Sequence, residues 1–268
     1  MSIPKKISYC WFGGNPLPEK VQACIKSWRE KCPDYEIIQW NESNYDIKKN
    51  KYMSDAFKEK KWAFVSDYAR LDIIYNYGGI YLDTDVELIK GLDDLLDECC
   101  FLGIDKEGYC VNTGLGFGAE PQMDIIKNLR DIYNDVSFYN NDGTLNLKAC
   151  TKYTTEYLEK YGYERKDETQ NICEAKILDS EYFCPLNYET NKLSITQNTV
   201  GIHWYEASWF NKSDKHLHKM DALLQRHLPS AIAKLLSKIY RYIYRFIEYS
   251  SKGILVDKIK NKRKRGKK

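Results

Sequence analysis

The sequence predicts an α/β fold, in which a sheet is flanked by helices, followed by a C-terminal amphipathic helical tail. Three observations lead to this prediction. A strand-like segment that closes on two glycines begins the chain, helix-like and strand-like segments then alternate, and a basic helical pattern with an apolar face ends it. Alternating strands and helices are typical of sheets with parallel strands. The 268 residues suffice for one large domain with an appendage, which we place at residues 1–228 and 229–268.

Composition and cysteine usage narrow the class of protein. Apolar residues make up 43% of the chain, which excludes global disorder and allows a packed core. The nine cysteines are scattered and contain no CxxC pair, so they indicate neither a disulfide framework nor a zinc site. We therefore expect a reduced, cytoplasmic compartment. The first residues lack the apolar run of a signal peptide, and no uninterrupted apolar stretch predicts a membrane span.

The first segments set up the sheet. Residues 6–12 predict a strand that closes on a glycine turn, and ligands gather at the carboxyl ends of such strands. Trp11 lies at that end, where it either packs in the core or stacks on a nucleobase. Apolar residues at helical spacing predict a helix over Glu19–Lys31. Residues 35–40 predict a second strand, and the polar residues 41–55 predict a loop.

The segment Trp62–Tyr77 predicts a buried helix, because apolar residues occur around much of its girth. Asp67 and Arg70 lie within it, three residues apart and so on one face. Charges on a buried helix are rare unless they are paired or used. Two interpretations stay open: an intrahelical ion pair, or two side chains that bind the hydroxyl groups of a ligand.

The segment that follows contains an Asp-x-Asp motif. Residues 80–82 form an apolar, strand-favouring run that ends in Asp83 and Asp85. Positions i and i+2 of a strand point to the same side, so the two carboxylates are expected to face one way. Paired carboxylates repel each other unless a cation lies between them, and Mg²⁺ or Mn²⁺ together with a diphosphate suits such oxygen ligands. The alternative is a turn with two solvated acids.

Two later segments add candidates. Residues 111–118 alternate glycine with apolar residues in the wrong order for a dinucleotide fingerprint, so they predict a glycine-rich strand that a ligand can approach, with Asn112 as a polar contact. His203 lies among large aromatic residues and is either a metal ligand or a structural residue. Helices are also predicted at residues 93–99, 124–133 and 149–161, and a strand at residues 100–104.

The C-terminal tail differs from the rest in charge. Residues 229–268 carry 13 Lys and Arg against two acids, a net charge of +11, which leaves −8 for the first 228 residues. Apolar residues recur at helical spacing opposite several of these cations. This pattern is typical of a helix in an anionic membrane interface. Packing of the helix on the body and nucleic-acid binding are the alternatives, and the acidic body together with the apolar face favours the membrane.

Taken together, three segments resemble the DXD-containing sugar transferases of glycosyltransferase family 32. This family includes bacterial capsular-polysaccharide enzymes and yeast mannosyltransferases and is related to the glucosyltransferase domains of clostridial toxins. The likeness is carried by residues 3–14, by residues 63–70 (Ala-Phe-Val-Ser-Asp-Tyr-Ala-Arg) and by residues 78–85 (Gly-Gly-Ile-Tyr-Leu-Asp-Thr-Asp). His203 with Ser208 and Trp209 matches more loosely. The likeness is strong over residues 3–90 and patchy to about residue 210.

The resemblance implies a GT-A fold, a Rossmann-like mixed sheet flanked by helices, and transfer of a sugar with retention of its anomeric configuration. The implied donor is a nucleotide sugar of the UDP-hexose type, and the implied cofactor is Mn²⁺ or Mg²⁺. The implied acceptor is an oligosaccharide, or one linked to polyprenyl diphosphate, in capsular or exopolysaccharide synthesis. Together with the tail, this predicts a peripheral protein on the inner face of the plasma membrane that binds no nucleic acid.

The resemblance also assigns roles to individual residues. Trp11 is expected to stack on the base, and Asp67 and Arg70 to bind hydroxyl groups of the donor sugar. Asp83 is expected to contact ribose and sugar as well as the metal, and Asp85 to ligate the metal on the diphosphate. The expected catalytic residues are Asp67, Arg70, Asp83 and Asp85, and the expected donor-binding residues are Trp11, Tyr81, Asn112, Ser208 and Trp209. The expected metal ligands are Asp85, Asp83 and His203, and Glu206 and Ser208 together are the alternative to His203 in completing the metal or phosphate shell.

One departure concerns the acceptor side, because the family's glycine-proline acceptor motif is replaced by Asn-Asp-Gly-Thr at residues 141–144. Two other functions are compatible with parts of the sequence. A phosphatase of the haloacid-dehalogenase type also has a strand that ends in Asp-x-Asp, but near the N-terminus. A non-catalytic, membrane-associated scaffold would keep the tail without a working site.

Overall fold

The computed structural model describes residues 2–205 and 212–251. The chain forms two compact units, one of residues 1–188 and 192–209 and the other of residues 189–191 and 210–268. The domain boundary predicted from the sequence, after residue 228, stays a prediction. The two compact units are described separately below. All nine cysteines are unpaired.

The first unit is built on a mixed sheet of seven strands in the order β2-β1-β3-β6-β5-β8-β7. Strands β1, β2 and β3 are parallel to one another, whereas β6 is antiparallel to both β3 and β5. Two small antiparallel pairs, β4 with β11 and β9 with β10, accompany the sheet. The strands are β1 (Lys6–Cys10), β2 (Glu36–Trp40), β3 (Gly79–Tyr81), β4 (Val86–Leu88), β5 (Cys100–Asp105), β6 (Cys110–Ala119), β7 (Gln170–Ile172), β8 (Ala175–Leu178), β9 (Leu186–Asn187), β10 (Lys192–Leu193) and β11 (Gly201–His203).

Helices cover both faces of this sheet, which confirms the predicted α/β class and the mixed sheet flanked by helices. Helix α1 packs in one hydrophobic cluster, and helices α2 to α5 line the other. The described helices are α1 (Glu19–Lys31), α2 (Lys51–Lys58), α3 (Trp62–Tyr77), α4 (Asp124–Asp131), α5 (Cys150–Glu159), α6 (Lys212–His227) and α7 (Ser230–Ser251), of which the last two belong to the second unit.

The sequence predicts α1 and α3 with the bounds that the structure shows, but two other predictions are wrong. Residues 41–55, predicted as a loop, contain a 3₁₀ turn and the start of α2, whose first turn is capped by the side chain of Asn50 at 3.1 Å from the amide of Met53. Residues 93–99, predicted as a short helix, form only the 3₁₀ turn Asp93–Leu95. Leu95 and Leu96 in this segment are nevertheless buried.

Strand β3 is central because it carries the chain from α3 to the Asp-x-Asp motif. It lies between β1 and β6, with Ile80 opposite Ile7 on one side and opposite Gly118 on the other. Gly79 has φ +98°, and a Cβ there would lie 2.9 Å from the carbonyl oxygen of Lys6. Glycine is therefore needed for β3 to approach β1 so closely.

The second unit pairs α6 with α7 through polar and aromatic contacts. The hydroxyl of Ser213 donates to Glu248 at 2.6 Å, the ring of His216 stacks on Tyr244, and Arg241 forms an ion pair with Asp221. The apolar side of α7 is exposed, which matches the predicted amphipathic helix; its members are Ile232, Leu235, Leu236, Ile239, Tyr242, Ile243, Phe246 and Ile247. Within the described ranges, every helix is too short or too polar to span a bilayer.

Candidate donor and metal site

The two acids of the motif lie in a turn between β3 and β4, beyond the end of the strand. β3 ends at Tyr81, so the strand alternation that predicted their shared direction does not apply. The turn nevertheless brings them together. Single ligand atoms of Asp83, Asp85 and His203 all lie within 4.8 Å of one another. His203 reaches this position because β11 pairs with β4, where His203 is opposite Val86.

Helix α3 supplies the second half of the site. The guanidinium of Arg70 lies 3.2 Å from a carboxylate oxygen of Asp67 and 3.3 Å from one of Asp83. Its Nε and Nη2 atoms also donate to the carbonyl and hydroxyl of Ser66 at 3.0 and 2.8 Å. The intrahelical pair therefore exists, and the same arginine joins α3 to the Asp-x-Asp turn. The two interpretations left open by the sequence are not exclusive.

Burial makes the carboxylates of this site costly to ionise. It raises the pKa of Asp67 to about 6, although the Arg70 guanidinium acts in the opposite direction. Burial likewise raises the pKa of Asp83, again opposed by Arg70. Asp67 and Asp83 thus share one guanidinium, and Asp85 lies close to Asp83, an arrangement of acids whose mutual repulsion a bound divalent cation would relieve.

His203 responds to the same negative charge. Burial by itself lowers the pKa of this imidazole, but Asp85, at 3.3 Å from Nε2, and the nearby Asp83 and Asp105 outweigh it and raise the pKa. Its Nδ1 atom is buried and has no hydrogen-bond partner within the part of the chain that the structure describes. Asp85 stabilises the protonated imidazole, so a metal ion that binds Nε2 would have to displace the proton on that nitrogen.

Tyr81 and Gly114 both contact Asp83 and so define its position. Tyr81 donates its hydroxyl to Asp83 at 3.0 Å, and its ring lies 5.1 Å from the Arg70 guanidinium. The amide of Asp83 donates to the carbonyl of Gly114 at 3.2 Å. A Cβ at position 114 would lie 2.3 Å from a carboxylate oxygen of Asp83, so the site requires glycine there.

Asn112 is buried and held on two sides. Its Nδ2 donates to Asp105 at 3.1 Å, and its Oδ1 accepts from the amide of Gly114 at 2.8 Å. An amide nitrogen carries two hydrogens, so Nδ2 retains a second one for a ligand. Asn112 therefore lies next to the backbone that positions Asp83, and its predicted contact with a ligand stays a prediction.

The remaining predicted residues separate into two groups. Trp11 directly follows the carboxyl end of β1, and its indole nitrogen donates to the carbonyl of Asn15 at 2.6 Å. Its ring is partly buried, and its stacking on a base stays a prediction. Ser208, Trp209 and Glu206 lie outside the described residues.

The donor set at the motif fits a divalent metal ion. Two carboxylate oxygens and one imidazole nitrogen are ligands that Mn²⁺ accepts, and Mg²⁺ accepts the oxygens. The site also lies beside the buried acid and guanidinium of α3, where they can bind a polyhydroxylated ligand. Sequence reasoning missed Asp105, which ends β5 and accepts a hydrogen bond from Asn112, and Tyr205, which packs on His203 from two residues further along the chain. It also gave no role to Gly114, although the alternating glycines pointed to a close approach at this strand.

Comparison with known proteins shows which sequences this region resembles. Residues 18–102 match the family model described as "Glycosyltransferase sugar-binding region containing DXD motif". This region contains Asp67, Arg70 and both acids of the turn, and it resembles the sugar-binding region of DXD-containing glycosyltransferases. The resemblance drawn from the sequence is thereby confirmed. It favours a transferase over the phosphatase and scaffold alternatives.

Two curated relatives come from Schizosaccharomyces pombe. The chain is 30% identical over 138 residues to inositol phosphoceramide mannosyltransferase 3, covering 48% of this chain and 37% of the relative. It is 30% identical over 169 residues to inositol phosphoceramide mannosyltransferase 1, covering 58% and 48%. The chain therefore spans less than half the length of these relatives.

Two solved structures found by comparison are named as glycosyltransferases. The PaToxG glycosyltransferase is 19% identical, with a TM-score of 0.47, and the match covers 59% of this chain and 70% of that one. The galactosyltransferase LgtC is 16% identical, with a TM-score of 0.38, and the match covers 84% and 98%.

Proposed function

We propose that this protein transfers a hexosyl group from a nucleotide sugar to a glycan acceptor and depends on a divalent metal ion, Mn²⁺ or Mg²⁺. The observation that carries the proposal is the convergence of Asp83, Asp85 and His203 within 4.8 Å, beside the buried pair of Asp67 and Arg70. A UDP-hexose is the expected donor type. Because the two relatives are named mannosyltransferases, mannose is a hexose to test first.

Each residue has a role that follows from its contacts. Asp83, Asp85 and His203 would hold the metal ion, which when bound supplies positive charge to the leaving diphosphate. Asp67 would accept hydrogen bonds from hydroxyl groups of the donor sugar. Arg70 contacts one of its carboxylate oxygens and also contacts Asp83, which places Asp67 close to the proposed metal ligands. Tyr81 fixes the Asp83 carboxylate through its hydroxyl.

Retention of configuration is part of the proposal. The carboxylates of Asp67 and Asp83 are both engaged by Arg70, which makes neither of them a free nucleophile. Attack by the acceptor on the same face that the phosphate leaves, with the phosphate oxygen taking the acceptor proton, requires no protein nucleophile. A sugar trapped covalently on any carboxylate of this chain would contradict this route.

A thermal-shift panel of nucleotide sugars tests the donor and the metal together, because a ligand that binds the folded state raises its apparent stability. We expect one nucleotide sugar to raise the melting temperature in the presence of Mn²⁺ and not in EDTA. The Asp85→Asn variant should lose this shift, and the wild-type protein should hydrolyse the same donor slowly. Failure of every nucleotide sugar to bind with Mn²⁺ would contradict the proposal.

The proposed acceptor is lipid-linked, such as a polyprenyl-diphosphate oligosaccharide used in capsular or exopolysaccharide synthesis. Two observations support a lipid. The curated relatives are named for inositol phosphoceramide, which is itself a lipid. The second unit also exposes a row of apolar side chains on α7, and Tyr242 in this row is 76% exposed. Exposed apolar rows of this kind mark interaction surfaces.

We further propose that α7 binds the inner face of the plasma membrane. The chain carries nine Lys and Arg after residue 251, and anionic lipids attract such clusters by about 1 kcal/mol per cation near the surface. The apolar side of α7 would enter the acyl boundary. Membrane binding accounts for both the exposed apolar row of α7 and the basic residues that follow it in the sequence. Binding of nucleic acid would require the basic residues but not the apolar row.

Cosedimentation with phosphatidylglycerol vesicles tests this surface. Replacing Leu235, Ile239 and Phe246 by serine should abolish cosedimentation without lowering the melting temperature, because all three are exposed. Ile195→Ser, at an exposed isoleucine of the first unit, is the matched control and should bind like wild type. Unchanged binding of the triple variant would contradict the membrane proposal, as would equal binding to neutral vesicles.

A further inference from the structure

Asp105 ends β5 outside the metal cluster and is a buried hub of hydrogen bonds. Its Oδ1 accepts from the hydroxyl of Tyr205 at 2.8 Å and from the amide of Glu107 at 3.0 Å. Its Oδ2 accepts from Nδ2 of Asn112 at 3.1 Å. The thiol of Cys184 lies 3.9 Å from Oδ1. One carboxylate thus joins β5, β6, the segment before β9 and the residue two places after His203.

One branch from this hub leads to Asp83. Asn112, held by Asp105, accepts the amide hydrogen of Gly114 at 2.8 Å. The carbonyl of Gly114 in turn accepts the amide hydrogen of Asp83 at 3.2 Å. A Cβ at position 114 would meet Asp83 at 2.3 Å, so this backbone has no room to shift towards the acid. The position of Asn112 therefore fixes where the first metal ligand begins.

The other branch leads to His203. The ring of Tyr205 packs edge-on against the imidazole with 4.2 Å between ring centroids. Tyr205 has φ +51°, which is uncommon for a residue with a Cβ and is held here by its side-chain contacts. Those contacts are its hydroxyl bond to Asp105 and its 2.8 Å approach to the Cys184 sulfur. Burial and the Asp105 carboxylate raise the pKa of Tyr205, so its hydroxyl keeps the proton that it donates.

We infer that Asp105 is a positioning residue for the metal site, which holds Asp83 through Asn112 and Gly114 and holds His203 through Tyr205. Asp105 acts on the proposed metal ligands through these neighbouring residues. In this way it sets the distance between the Asp83 carboxylate and the His203 imidazole. The inference rests on the proposed metal-dependent function. Residues that orient metal ligands in this way typically change metal affinity about 10- to 100-fold when they are replaced.

If Asp105 acts through these two branches, single and double variants should change Mn²⁺ affinity in a way that an acid with only a structural role would not. Asp105→Asn keeps the shape and removes the charge that accepts from both Tyr205 and Asn112. Tyr205→Phe removes only the hydroxyl of the His203 branch. Both variants should weaken Mn²⁺ binding, and the two changes together should weaken it by less than the product of the single effects, because they break the same bond.

The experiment measures Mn²⁺ affinity of the full-length, metal-free protein from the electron paramagnetic resonance signal of free Mn²⁺. We expect about a 10-fold or greater increase in Kd for Asp105→Asn and a smaller increase for Tyr205→Phe. The control is Asp72→Asn, a buried acid of α3 with several donors, which should lose stability but keep the wild-type Kd. Tyr205→Phe retains its ring packing and serves if Asp105→Asn does not fold.

The outcomes separate this inference from the proposed function. Wild-type Mn²⁺ binding with an unchanged Kd in both folded variants would overturn the positioning role and leave the proposed function standing. Strictly multiplicative effects of the two changes would also overturn it, because independent contributions need no shared acid. Absence of Mn²⁺ binding to the wild-type protein would overturn the metal site and, with it, the role of Asp105.

Discussion

Helix α3 carries two buried acidic clusters on different faces, and they differ in how many donors each acid receives. Asp72 is a single carboxylate that is nearly saturated. It accepts from the hydroxyl of Tyr45 at 2.8 Å, Lys49 at 3.0 Å, Asn76 at 3.0 Å and Arg130 at 3.3 Å. Such a cluster joins α3 to its neighbours and leaves little capacity for a ligand.

In the cluster on the other face of α3, two carboxylates share one guanidinium. Arg70 is shared between Asp67 and Asp83, and Asp85 adds a third carboxylate nearby. Burial raises the pKa of Asp67 and of Asp83 in spite of the arginine. The comparison teaches that a buried acid alone does not mark a site. What marks it is a group of acids with fewer cations than carboxylates among the described residues.

The largest expected effect comes from removing a proposed metal ligand. Asp85→Asn should reduce sugar transfer by on the order of 10³-fold, because the charge that holds the metal at the leaving diphosphate is lost. The free energy of unfolding should change little, because the variant relieves the repulsion with Asp83 and at the same time loses the interaction with His203. Initial rates and chemical denaturation measure the two quantities. A large loss of stability would make this cluster structural, like that of Asp72.

Gly114→Ala should reduce activity by about 100-fold, because its Cβ would push Asp83 away from its position and small displacements of catalytic groups have effects of this size. Gly103→Ala is the matched control on the neighbouring strand β5, where the added Cβ would make ordinary contacts of 3.5 Å or more. Initial rates and melting temperatures of both variants check this prediction. Equal activity of the two variants would show that space beside Asp83 is not critical.

Asp72→Asn should lower the free energy of unfolding by about 2–3 kcal/mol, because it leaves Lys49 and Arg130 without their buried carboxylate. Activity per folded molecule should change by less than about twofold, since this acid faces away from the site. Urea denaturation and transfer assays at a temperature where the variant is folded give both values. A selective loss of activity would break the distinction between the two faces of α3.

The pH dependence of stability separates two buried acids with opposite shifts. The folded pKa of Asp67 is raised to about 6 from about 3.9 in unfolded chains, so the stability it contributes is present below pH 4 and is lost as pH rises through 6. Between pH 4 and pH 8, Asp67→Asn should therefore gain about 2–3 kcal/mol relative to wild type.

Asp55 is the control for this measurement. Burial acts to raise its pKa, but Lys51 and Lys58 reverse the effect and lower it. Asp55→Asn should consequently be less stable than wild type by a nearly constant amount above the unfolded pKa, and this deficit should shrink only as pH falls through the lowered folded pKa. Urea denaturation of both variants at pH 4, 6 and 8 checks the signs. Parallel curves for the two variants would contradict the raised pKa of Asp67.

Much of the site could be predicted because its residues are close in sequence and chemically unusual. Asp67 and Arg70 stand out on an otherwise apolar helix, and Asp83 and Asp85 follow a buried strand at once. The geometric reason was partly wrong: the acids converge through a turn, since β3 ends at Tyr81. Local sequence determines that acids follow the strand, whereas the path of the turn depends on β4 and its partner β11.

The rest depends on contacts between distant segments. Asp105 is one of many acids in the sequence, and only the pairing of β5 with β6 brings it to Asn112. Tyr45 and Arg130 reach Asp72 from other helices and turns in the same way. α2 was missed because its segment is polar overall, although Tyr52 and Met53 are buried on one side. The capping residue Asn50 was the available signal for that helix.

Direct titration of the metal-free protein with Mn²⁺ tests the central claim that the acid-rich face of α3 and the Asp-x-Asp turn form a cation site. We expect saturable binding of one Mn²⁺ per chain in wild type and in Asp72→Asn, and loss of that binding in Asp85→Asn. Equal Mn²⁺ binding by wild type and Asp85→Asn, or no binding by either, would contradict it.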